Sequence, residues 1–362
     1  MTSEKQLGEI QFLVATPQDA QDAVNFHNAH YRARRTAEHW LWEYQTYQPD
    51  KAVFALAKHN GRVVATIGRM PVRMEVNGKP FLAAKGENLL CSAPYRGTGL
   101  VQKLREYADE QCRARGIQFR WGLGYIDQLV GRRQFTTVCR DIEVLTRLGN
   151  LRIAAGLRLR DDRPLWRRIG SLGKLLLKYY SQDTHAIPQV WERGGYEIRK
   201  GQTPYREIKE LQERLRSKNK NVICLKYDEE FLSWRVRNHP FLRYDEYQVY
   251  HRGKLRAYAF VTLCQGEASI SELLSEDSNA TSLLLGKILE EYAQEAGWFR
   301  FIGNPMDPLS QKIFQTLRQF GFSLSMKWHI TITDLSGCVD VQQFYDIRNW
   351  HVTGLWTEGF RH

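Results

Sequence analysis

The chain has 362 residues, of which 43% are hydrophobic, and it carries a formal net charge of +12. Its length favours two domains, and its composition excludes a disordered or low-complexity protein. No apolar run reaches the roughly 20 residues that a membrane-spanning helix needs, and the N-terminus lacks a signal-peptide pattern. The six cysteines are scattered singly, away from zinc-ligand spacings, which predicts a cytoplasmic protein without a metal site.

The first predicted elements are a short strand and two helices. Residues 10–14, "IQFLV", form an apolar run typical of a strand. Thr16 followed by Pro17 is typical of a helix start, because threonine caps free N–H groups and proline tolerates the first helical position. The stretch "TAEHWLWEYQTY" (36–47) predicts a second helix with its aromatic residues on one side.

Two Asn-Gly pairs, at 60–61 and 77–78, then separate apolar runs. This dipeptide favours the tight turns that join antiparallel strands, so three such strands are predicted between residues 52 and 92.

An amphipathic helix follows the third of these strands, and Gly116 ends it. The apolar residues at helical spacing are Leu100, Leu104, Tyr107 and Ala108. Residues 117–125 predict one more strand. The order of elements is that of a mixed α/β domain, and it disfavours a doubly wound fold of alternating βαβ units.

Basic residues outnumber acidic ones nine to two between positions 147 and 178. Residues 163–180 predict a basic amphipathic helix, which fits either a connector docked on a domain or a helix on a membrane surface. The apolar side of this helix carries Leu165, Ile169, Leu172, Leu176 and Tyr180. Motifs of nucleic-acid binding are lacking, so no nucleic-acid partner is predicted, and the net charge indicates another anionic ligand.

The second half of the sequence repeats the first. Trp42 and Trp234 each precede a glycine, Gly61 or Gly253, by 19 residues, and the two matches are 192 residues apart. Each glycine begins a similar pattern, "GRVVA" or "GKLRA". Two copies of one domain are therefore predicted, 1–148 and 201–362, with a basic helical connector at 149–200.

The copies differ at the turn before the amphipathic helix. The first copy has "LLCSAPYRGTGLVQK" (89–103), and the second has "LLSEDSNATSLLLGK" (273–287). The first N–H groups of a helix lack internal partners, and glycine lets a ligand approach the backbone, so "RGTG" is typical of a phosphate cradle. An ordinary strand-to-helix connection is the alternative, but the second copy makes that connection without the arginine or the paired glycines.

A strand, "YRGTGL" and an amphipathic helix, placed after an antiparallel meander, resemble the GNAT superfamily of CoA-dependent N-acyltransferases. The pyrophosphate loop of the family reads Arg/Gln-x-x-Gly-x-Gly/Ala. Arg96 and Gly99 match this pattern, and Val101 departs from its final small residue. The resemblance covers about residues 1–148 and implies an α/β fold of two tandem GNAT-like domains, the second degenerate. Each is expected to be a mostly antiparallel mixed sheet flanked by helices.

The resemblance also implies acyl-CoA as co-substrate, with no metal. The amides of the loop are expected to hold the CoA pyrophosphate, and the backbone of the preceding strand is expected to bind the pantetheine arm. The loop residues are Arg96, Gly97, Thr98, Gly99, Leu100 and Val101, and the strand residues are Leu89, Leu90 and Cys91.

No set of residues for a covalent route is arranged at a recognisable spacing, so direct transfer from the thioester to an amine fits best. By resemblance, Glu87 is expected to be the general base, and Tyr125 is expected to protonate the leaving thiolate. Asp127 is expected to bind the amine. A hairpin-end carboxylate for Glu87 and a core side chain for Tyr125 are the alternatives.

Two later stretches, "LSWRVRNHP" (232–240) and "NWHVTG" (349–354), resemble N-acyltransferases of nucleotide-linked amino sugars, which serve surface polysaccharides. The implied acceptor is a dTDP- or UDP-linked amino sugar, and Asn349 and Trp350 are expected to cover it unless this tail only packs. A tandem GNAT enzyme that uses aminoacyl-tRNA for peptidoglycan stays open as an alternative, and so does the acylation of another small amine. So does a non-catalytic, membrane-associated binding protein, although membrane association is not the expected outcome.

Overall fold

A computed structural model describes residues 10–31, 34–124, 136–159, 170–177, 194–217, 222–337 and 341–356. The chain divides into two compact units. Of the described residues, those in 1–138 and 330–344 belong to the first unit, and those in 139–329 and 345–359 belong to the second. The domain bounds at 148 and 200 stay a prediction.

Up to residue 124, the described part of the first unit is a mixed sheet with three α-helices. Its strands are β1 (Ile10–Val14), β2 (Val53–His59), β3 (Arg62–Val76), β4 (Lys79–Cys91) and β5 (Phe119–Gly124). They pair in this order, antiparallel from β1 to β4 and parallel between β4 and β5. The helices are α1 (Ala20–His30), α2 (Ala37–Gln45) and α3 (Leu100–Ala114).

Local sequence accounts for the starts and turns of these elements. The Asp19 carboxylate accepts hydrogen bonds from the N–H and the hydroxyl of Thr16, both at 3.0 Å, before α1. The Thr36 hydroxyl accepts from the N–H of His39 and caps α2. In the first hairpin Asn60 and Gly61 have φ values of 50° and 73°, which suit these two residue types. The predicted strands, helices and hairpins of this unit are confirmed.

Helices cover both faces of the first sheet. Leu100, Leu104, Ala108 and Cys112 of α3 pack against alternate strand residues that include Val53, Ala55 and Ala57. Between them Phe54 points to the other face, where its ring centroid lies 5.4 Å from that of Trp40 and 4.9 Å from that of Tyr44. This two-sided packing positions the start of α3 directly after β4.

A buried ionic network ties α3 to the sheet. The Asp109 carboxylate of α3 lies 3.3 Å from the Arg69 guanidinium of β3 and 3.0 Å from that of Arg120 on β5. None of the three residues is more than 7% exposed. Burial, and then the charge of Arg69, lowers the pKa of Arg120 to about 10, although Asp109 opposes both effects.

Asp109→Asn should lower the free energy of unfolding by about 3 kcal/mol or more, because two buried guanidinium groups lose their counter-charge. Asp141→Asn is a matched control. Asp141 pairs with Lys327 at 2.7 Å, but the side chains are 51% and 45% exposed, so the expected loss is below about 1 kcal/mol. Urea unfolding measures both variants, and equally small losses would contradict the assigned role of Asp109.

The second unit contains a larger sheet. Its strands are β6 (Thr136–Leu148), β7 (Tyr196–Lys200), β8 (Ile223–Leu225), β9 (Tyr244–His251), β10 (Lys254–Cys264), β11 (Glu267–Ser275), β12 (Trp298–Gly303) and β13 (Ser323–Asp334). Seven of these strands follow the order β13-β6-β12-β11-β10-β9-β7, and β8 lies outside this order. Strand β11 pairs with β12 in parallel, whereas the pairs β6–β12, β10–β11, β9–β10 and β7–β9 are antiparallel.

The helices of the second unit are α4 (Leu151–Leu159), α5 (Tyr205–Arg216), α6 (Glu229–Leu232), α7 (Ser278–Glu291) and α8 (Gln311–Gln319). Helix α6 continues into a π-helical turn, Ser233–Arg237. The end of β13 and most of α9 (Val341–Tyr345) belong to the first unit. None of the described helices is long and apolar enough to span a membrane.

Both units contain, in this order, a strand, two helices, three antiparallel strands, a helix and a parallel strand, and in the second unit the short strand β8 lies between the two helices. The repeat found in the sequence falls on equivalent places, since α2 and the segment 229–237 are 192 residues apart. The hairpin glycines agree as well, with φ values of 73° at Gly61 and 72° at Gly253. The mixed α/β fold with helix-flanked sheets is confirmed, and the tandem origin of the units stays a prediction.

Residues 170–177, in the predicted connector, are helical. Leu172 and Leu175 pack against α4 and Trp298. Leu176 was expected on the apolar side, but it is 47% exposed, and Leu175 is buried instead. The contact face is therefore shifted by one residue from the predicted one. The other residues of that predicted apolar side, Leu165, Ile169 and Tyr180, lie outside the described residues.

Candidate active site

The loop between β4 and α3 is an exposed turn with two glycines in left-handed conformations. Gly97 and Gly99 have φ values of 79° and 83°, and nothing lies within 4 Å of where their Cβ atoms would stand. Backbone conformation, rather than crowding, thus requires glycine here. The Thr98 hydroxyl donates to the Tyr95 carbonyl at 2.8 Å, and the Arg96 Nε–H donates to the Cys91 carbonyl at 3.1 Å.

Five consecutive backbone N–H groups at the start of α3 find no acceptor among the described residues. They belong to Gly97, Thr98, Gly99, Leu100 and Val101. The Arg96 amide, which was expected in the same set, donates to the Ala93 carbonyl at 3.2 Å. Free N–H groups and the positive end of the helix dipole favour an anion at this place. The loop therefore has a donor set suited to a pyrophosphate.

The N-terminus of the corresponding helix in the second unit is capped by a side chain. The Asp277 carboxylate caps α7 by accepting a hydrogen bond from the N–H of Ala280 at 2.8 Å. A carboxylate in this position takes the role of the anion and repels a phosphate. By contrast, the N-cap of α3 is Gly99, which offers no side-chain cap. The acidic residues seen in the sequence of the second copy thus have a direct structural effect.

An opening between β4 and β5 begins after Lys85 and follows β4 toward the loop. The parallel pairing joins Ala83–Lys85 to Phe119–Trp121, whereas β4 continues to Cys91 and β5 to Gly124. Pairing with β3 on the other side of β4 continues to Cys91. Among the described residues, the backbone of β4 after Lys85 is therefore open on the β5 side. Leu89, Leu90 and Cys91 lie along this opening and are partly exposed, as the expected pantetheine site requires.

Glu87 lies near the start of this opening. Its carboxylate pairs with the ammonium group of Lys85, and the Glu87 side chain is 19% exposed. It is opposite Gly68 on β3, on the face that α2 covers. Burial, then the charges of Glu43 and Glu87, raises the pKa of Tyr44 on α2 well above its usual value. A partly exposed carboxylate at the opening suits a general base, and this role of Glu87 stays a prediction.

Tyr125 and Asp127, expected as the acid and as the amine ligand, lie outside the described residues. Sequence reasoning missed three residues beside Glu87, namely Tyr44, Lys85 and Asn88. The sequence predicted only the elements that contain them. Tyr44 belongs to the aromatic helix, and Lys85 and Asn88 flank Glu87 on the third hairpin strand. Their proximity depends on strand register and on helix packing, which no short motif encodes.

The expected acceptor residues belong to the second unit. Trp350 is fully buried, its ring lies 6.0 Å from that of Trp356, and Asn304 donates to its carbonyl at 2.7 Å. The ring thus offers no open face for stacking on a sugar, which corrects that expectation. Asn349 is half-buried, and its N–H donates to the Asp346 carbonyl at 3.0 Å. Its substrate role stays a prediction.

The stretch "LSWRVRNHP" has structural contacts in the second unit. Arg235 is 2% exposed, and its guanidinium donates to the Leu355 carbonyl at 3.3 Å. Arg237 donates to the Glu246 carboxylate at 3.1 Å. These contacts give both arginines of the stretch a structural role that needs no ligand.

Residues 13–136 match a family model described as "Acetyltransferase (GNAT) domain". This segment contains the open loop, the strand opening and Glu87. No curated protein sequence matches the chain.

Three solved structures show the likeness of the fold. A probable N-acyltransferase from Enterococcus faecalis V583 is 10% identical with a TM-score of 0.59, over 93% of this chain and 74% of that one. A GCN5-related N-acetyltransferase from Kribbella flavida is 12% identical with a TM-score of 0.58, over 91% and 72%. An N-myristoyltransferase from Saccharomyces cerevisiae with bound myristoyl-CoA is 14% identical with a TM-score of 0.57, over 90% and 83%.

At these identities the solved structures establish the fold alone, which is the GNAT fold. Together with the matched domain, this fold supports an N-acyltransferase that takes an acyl group from CoA to an amine.

Proposed function

We propose that the protein transfers an acyl group from acyl-CoA to the amine of a dTDP- or UDP-linked amino sugar, for a surface polysaccharide. The observation that carries the CoA part is the run of five N–H groups, from Gly97 to Val101, that find no acceptor among the described residues. The loop follows directly on the strand whose backbone is open toward β5. The loop suits the pyrophosphate of CoA, and the open backbone of the preceding strand suits its amide-bearing pantetheine arm.

The proposed reaction is direct. The amine nitrogen attacks the thioester carbonyl, a C–N bond forms, the C–S bond breaks, and the thiolate takes up a proton. Glu87 would accept the proton that the amine loses, and its place at the opening supports this role. Lys85 beside it keeps the carboxylate in a paired, oriented state.

The acceptor is assigned from charge and from resemblance. A net charge of +12 suits two anionic ligands, CoA and a nucleotide sugar. An enzyme that uses aminoacyl-tRNA for peptidoglycan is the alternative, and the open pyrophosphate loop favours a CoA donor over it. A small amine other than a sugar is the second alternative, and a comparison of thiol release with sugar and non-sugar amines separates it from the proposed acceptor.

A thiol-release assay with acetyl-CoA and longer acyl-CoAs, against a panel of dTDP- and UDP-amino sugars and of small non-sugar amines, tests the proposal. We expect thiol release that depends on one of the amino sugars. Turnover with small non-sugar amines alone contradicts the sugar acceptor, and the absence of amine-dependent thiol release with every donor contradicts the enzyme.

Arg96→Glu should weaken CoA binding by about tenfold or more, because a positive charge beside the free amides becomes negative. Isothermal titration with CoA measures the change. Arg206→Glu is the control, since Arg206 is an exposed residue of the second unit whose side chain is 89% accessible. Wild-type affinity in Arg96→Glu would show that the loop does not hold the pyrophosphate.

A non-catalytic, membrane-associated protein is a second candidate, favoured by exposed leucines on the helical segment 170–177. Leu176 and Leu177 are 47% and 72% exposed, in a part of the sequence rich in basic residues. Flotation with anionic vesicles tests this candidate. Retention on the vesicles without CoA binding favours it over the enzyme, whereas CoA binding without retention excludes it.

A further inference from the structure

The strand that borders the proposed pantetheine site contains a β-bulge. Gly68 of β3 is opposite Glu87, and Thr66 is opposite Leu90, so two steps along β3 match three steps along β4. Asn88 lies in this irregularity with a φ of 51°. Asparagine enters the left-handed region more readily than other residues with a side chain, and a bulge redirects the residues that follow it.

Two buried side chains hold the bulge. The Thr66 hydroxyl donates to the Asn88 carbonyl at 2.8 Å. The side-chain N–H of Asn88 donates to the Tyr44 hydroxyl at 2.9 Å. Thr66 and Tyr44 are each 1% exposed, so the groups that bond Asn88 are shielded from water. Loss of either partner would leave a polar group unsatisfied in a buried place.

The Tyr44 hydroxyl has room beside the bulge because residue 68 has no side chain. A Cβ at Gly68 would stand 2.1 Å from the Tyr44 oxygen and 3.3 Å from the Glu87 carbonyl oxygen. Burial, then the charges of Glu43 and Glu87, raises the pKa of Tyr44, so the phenol stays neutral. The contact between α2 and β4 therefore depends on a glycine, a tyrosine and an asparagine from three separate elements.

The bulge sets the orientation of the cofactor strand. Side chains and backbone groups alternate along a strand with a period of two, so one extra residue reverses the alternation of everything after it. The residues after Asn88 are Leu89–Cys91, whose backbone is open toward β5 among the described residues. The conformation of Asn88 thus decides how their N–H and C=O groups face the opening.

We infer that Tyr44 and Asn88 are positioning residues for acyl transfer: Tyr44 holds Asn88 in the bulge, and the bulge orients the backbone of Leu89–Cys91 toward the acyl-CoA arm. The inference rests on the proposed function, because it needs acyl-CoA in the opening. Neither side chain touches the reacting atoms in this role, and both act through the backbone of β4.

Variants of Asn88 separate backbone conformation from the side-chain bond. Asn88→Ala removes the bond and disfavours the positive φ, so kcat/KM for acyl-CoA should fall about 30-fold or more. Asn88→Gly removes the bond but accepts the positive φ, so it should retain at least about fivefold more activity than Asn88→Ala. Equal activity of these two variants, or wild-type activity of Asn88→Ala, overturns the inference.

Tyr44→Phe keeps the ring and removes the acceptor of Asn88, with an expected loss in kcat/KM of about fivefold. Tyr107→Phe is the matched control, because the Tyr107 ring packs beside Phe12, 6.0 Å away, on the opposite face of the sheet. It should behave as the wild type.

The double variant Tyr44→Phe/Asn88→Gly decides whether Tyr44 acts through Asn88. Without the Asn88 amide, loss of the Tyr44 hydroxyl should cost less than about twofold, which is the signature of coupled residues. A loss of equal size in both backgrounds overturns the inference.

Hydrogen exchange gives a readout that does not need turnover. With CoA bound, Asn88→Ala should speed exchange at Leu89–Cys91 and leave the middle of α3 unchanged. If the wild type is active and its Tyr44 and Asn88 variants have the same kcat/KM and the same exchange rates, this inference is wrong and the proposed function stands. If the wild type binds CoA but acylates no amine, and Asn88→Ala still shows the faster exchange, the proposed reaction is wrong. The role of the bulge in cofactor binding then stands.

Discussion

Gly99→Asp is expected to weaken CoA binding by about 100-fold or more, equivalent to ~2.7 kcal/mol. Gly99 is the uncapped N-cap of α3, so the new carboxylate would compete with a phosphate for the free N–H groups and repel it. The second unit already has an aspartate at the equivalent position, since the Asp277 side chain caps α7. Aspartate is among the residues that tolerate the left-handed conformation of Gly99, so the fold should survive. Isothermal titration with CoA measures the loss.

Gly78→Asp is the matched control for this experiment. Gly78 also has a positive φ, 76°, with nothing within 4 Å of its Cβ position, but it lies in the hairpin between β3 and β4. It should bind CoA like the wild type. Equal losses in both variants would point to a general effect of charge, and no loss in Gly99→Asp would place the pyrophosphate elsewhere.

The free energy of unfolding should fall by up to about 3 kcal/mol between pH 6.5 and 9 because of His351. His351 is 6% exposed, with Nδ1 2.7 Å from the Asp307 carboxylate and Nε2 3.9 Å from that of Glu272. Burial disfavours the imidazolium, but Asp307 and Glu272 outweigh it and raise the pKa of His351 from 6.5 to about 9.

Because the pKa of His351 is raised in the folded state, His351 stabilises the fold at low pH and not at high pH. A histidine with a raised pKa in the folded state stabilises the fold fully below its unfolded pKa of about 6.5, and the contribution is lost as the pH rises to about 9. His351→Gln should be less stable below pH 6.5 and should lose the slope between pH 6.5 and 9. His30→Gln, at an exposed histidine of α1, is the control and should keep the slope. Urea unfolding at several pH values measures all three, and an unchanged slope in His351→Gln would assign it to other groups.

Local elements of the first unit could be predicted because short motifs determine them. Asn-Gly at 60–61 and 77–78 selects the hairpins, and the glycines at 97 and 99 select the turn before α3. The bulge at Asn88 could not be predicted in the same way. It depends on Tyr44, which is 44 residues away in the chain, and on the empty side-chain position at Gly68.

The tail at 349–356 shows why a motif can mislead. Several aromatic residues close together are typical of a stacking surface and of a core. Burial alone separates the two, and Trp350 with Trp356 is core. The buried pair of Arg69 and Arg120 around Asp109 had no sequence signal either, because three charged residues on three elements meet only after β3, β5 and α3 have packed.

By itself, the sequence determined the mixed α/β fold, the hairpins, the repeat and the half that has an open glycine turn. Each of these depends on neighbours within a few residues or on a pattern repeated along the chain. Only the tertiary structure decided three features of the described residues: five N–H groups of this turn have no acceptor, the pairing of β4 with β5 ends at Lys85, and Asp277 caps the other helix. These features are set by strand register and side-chain packing, which bring together residues distant in the chain.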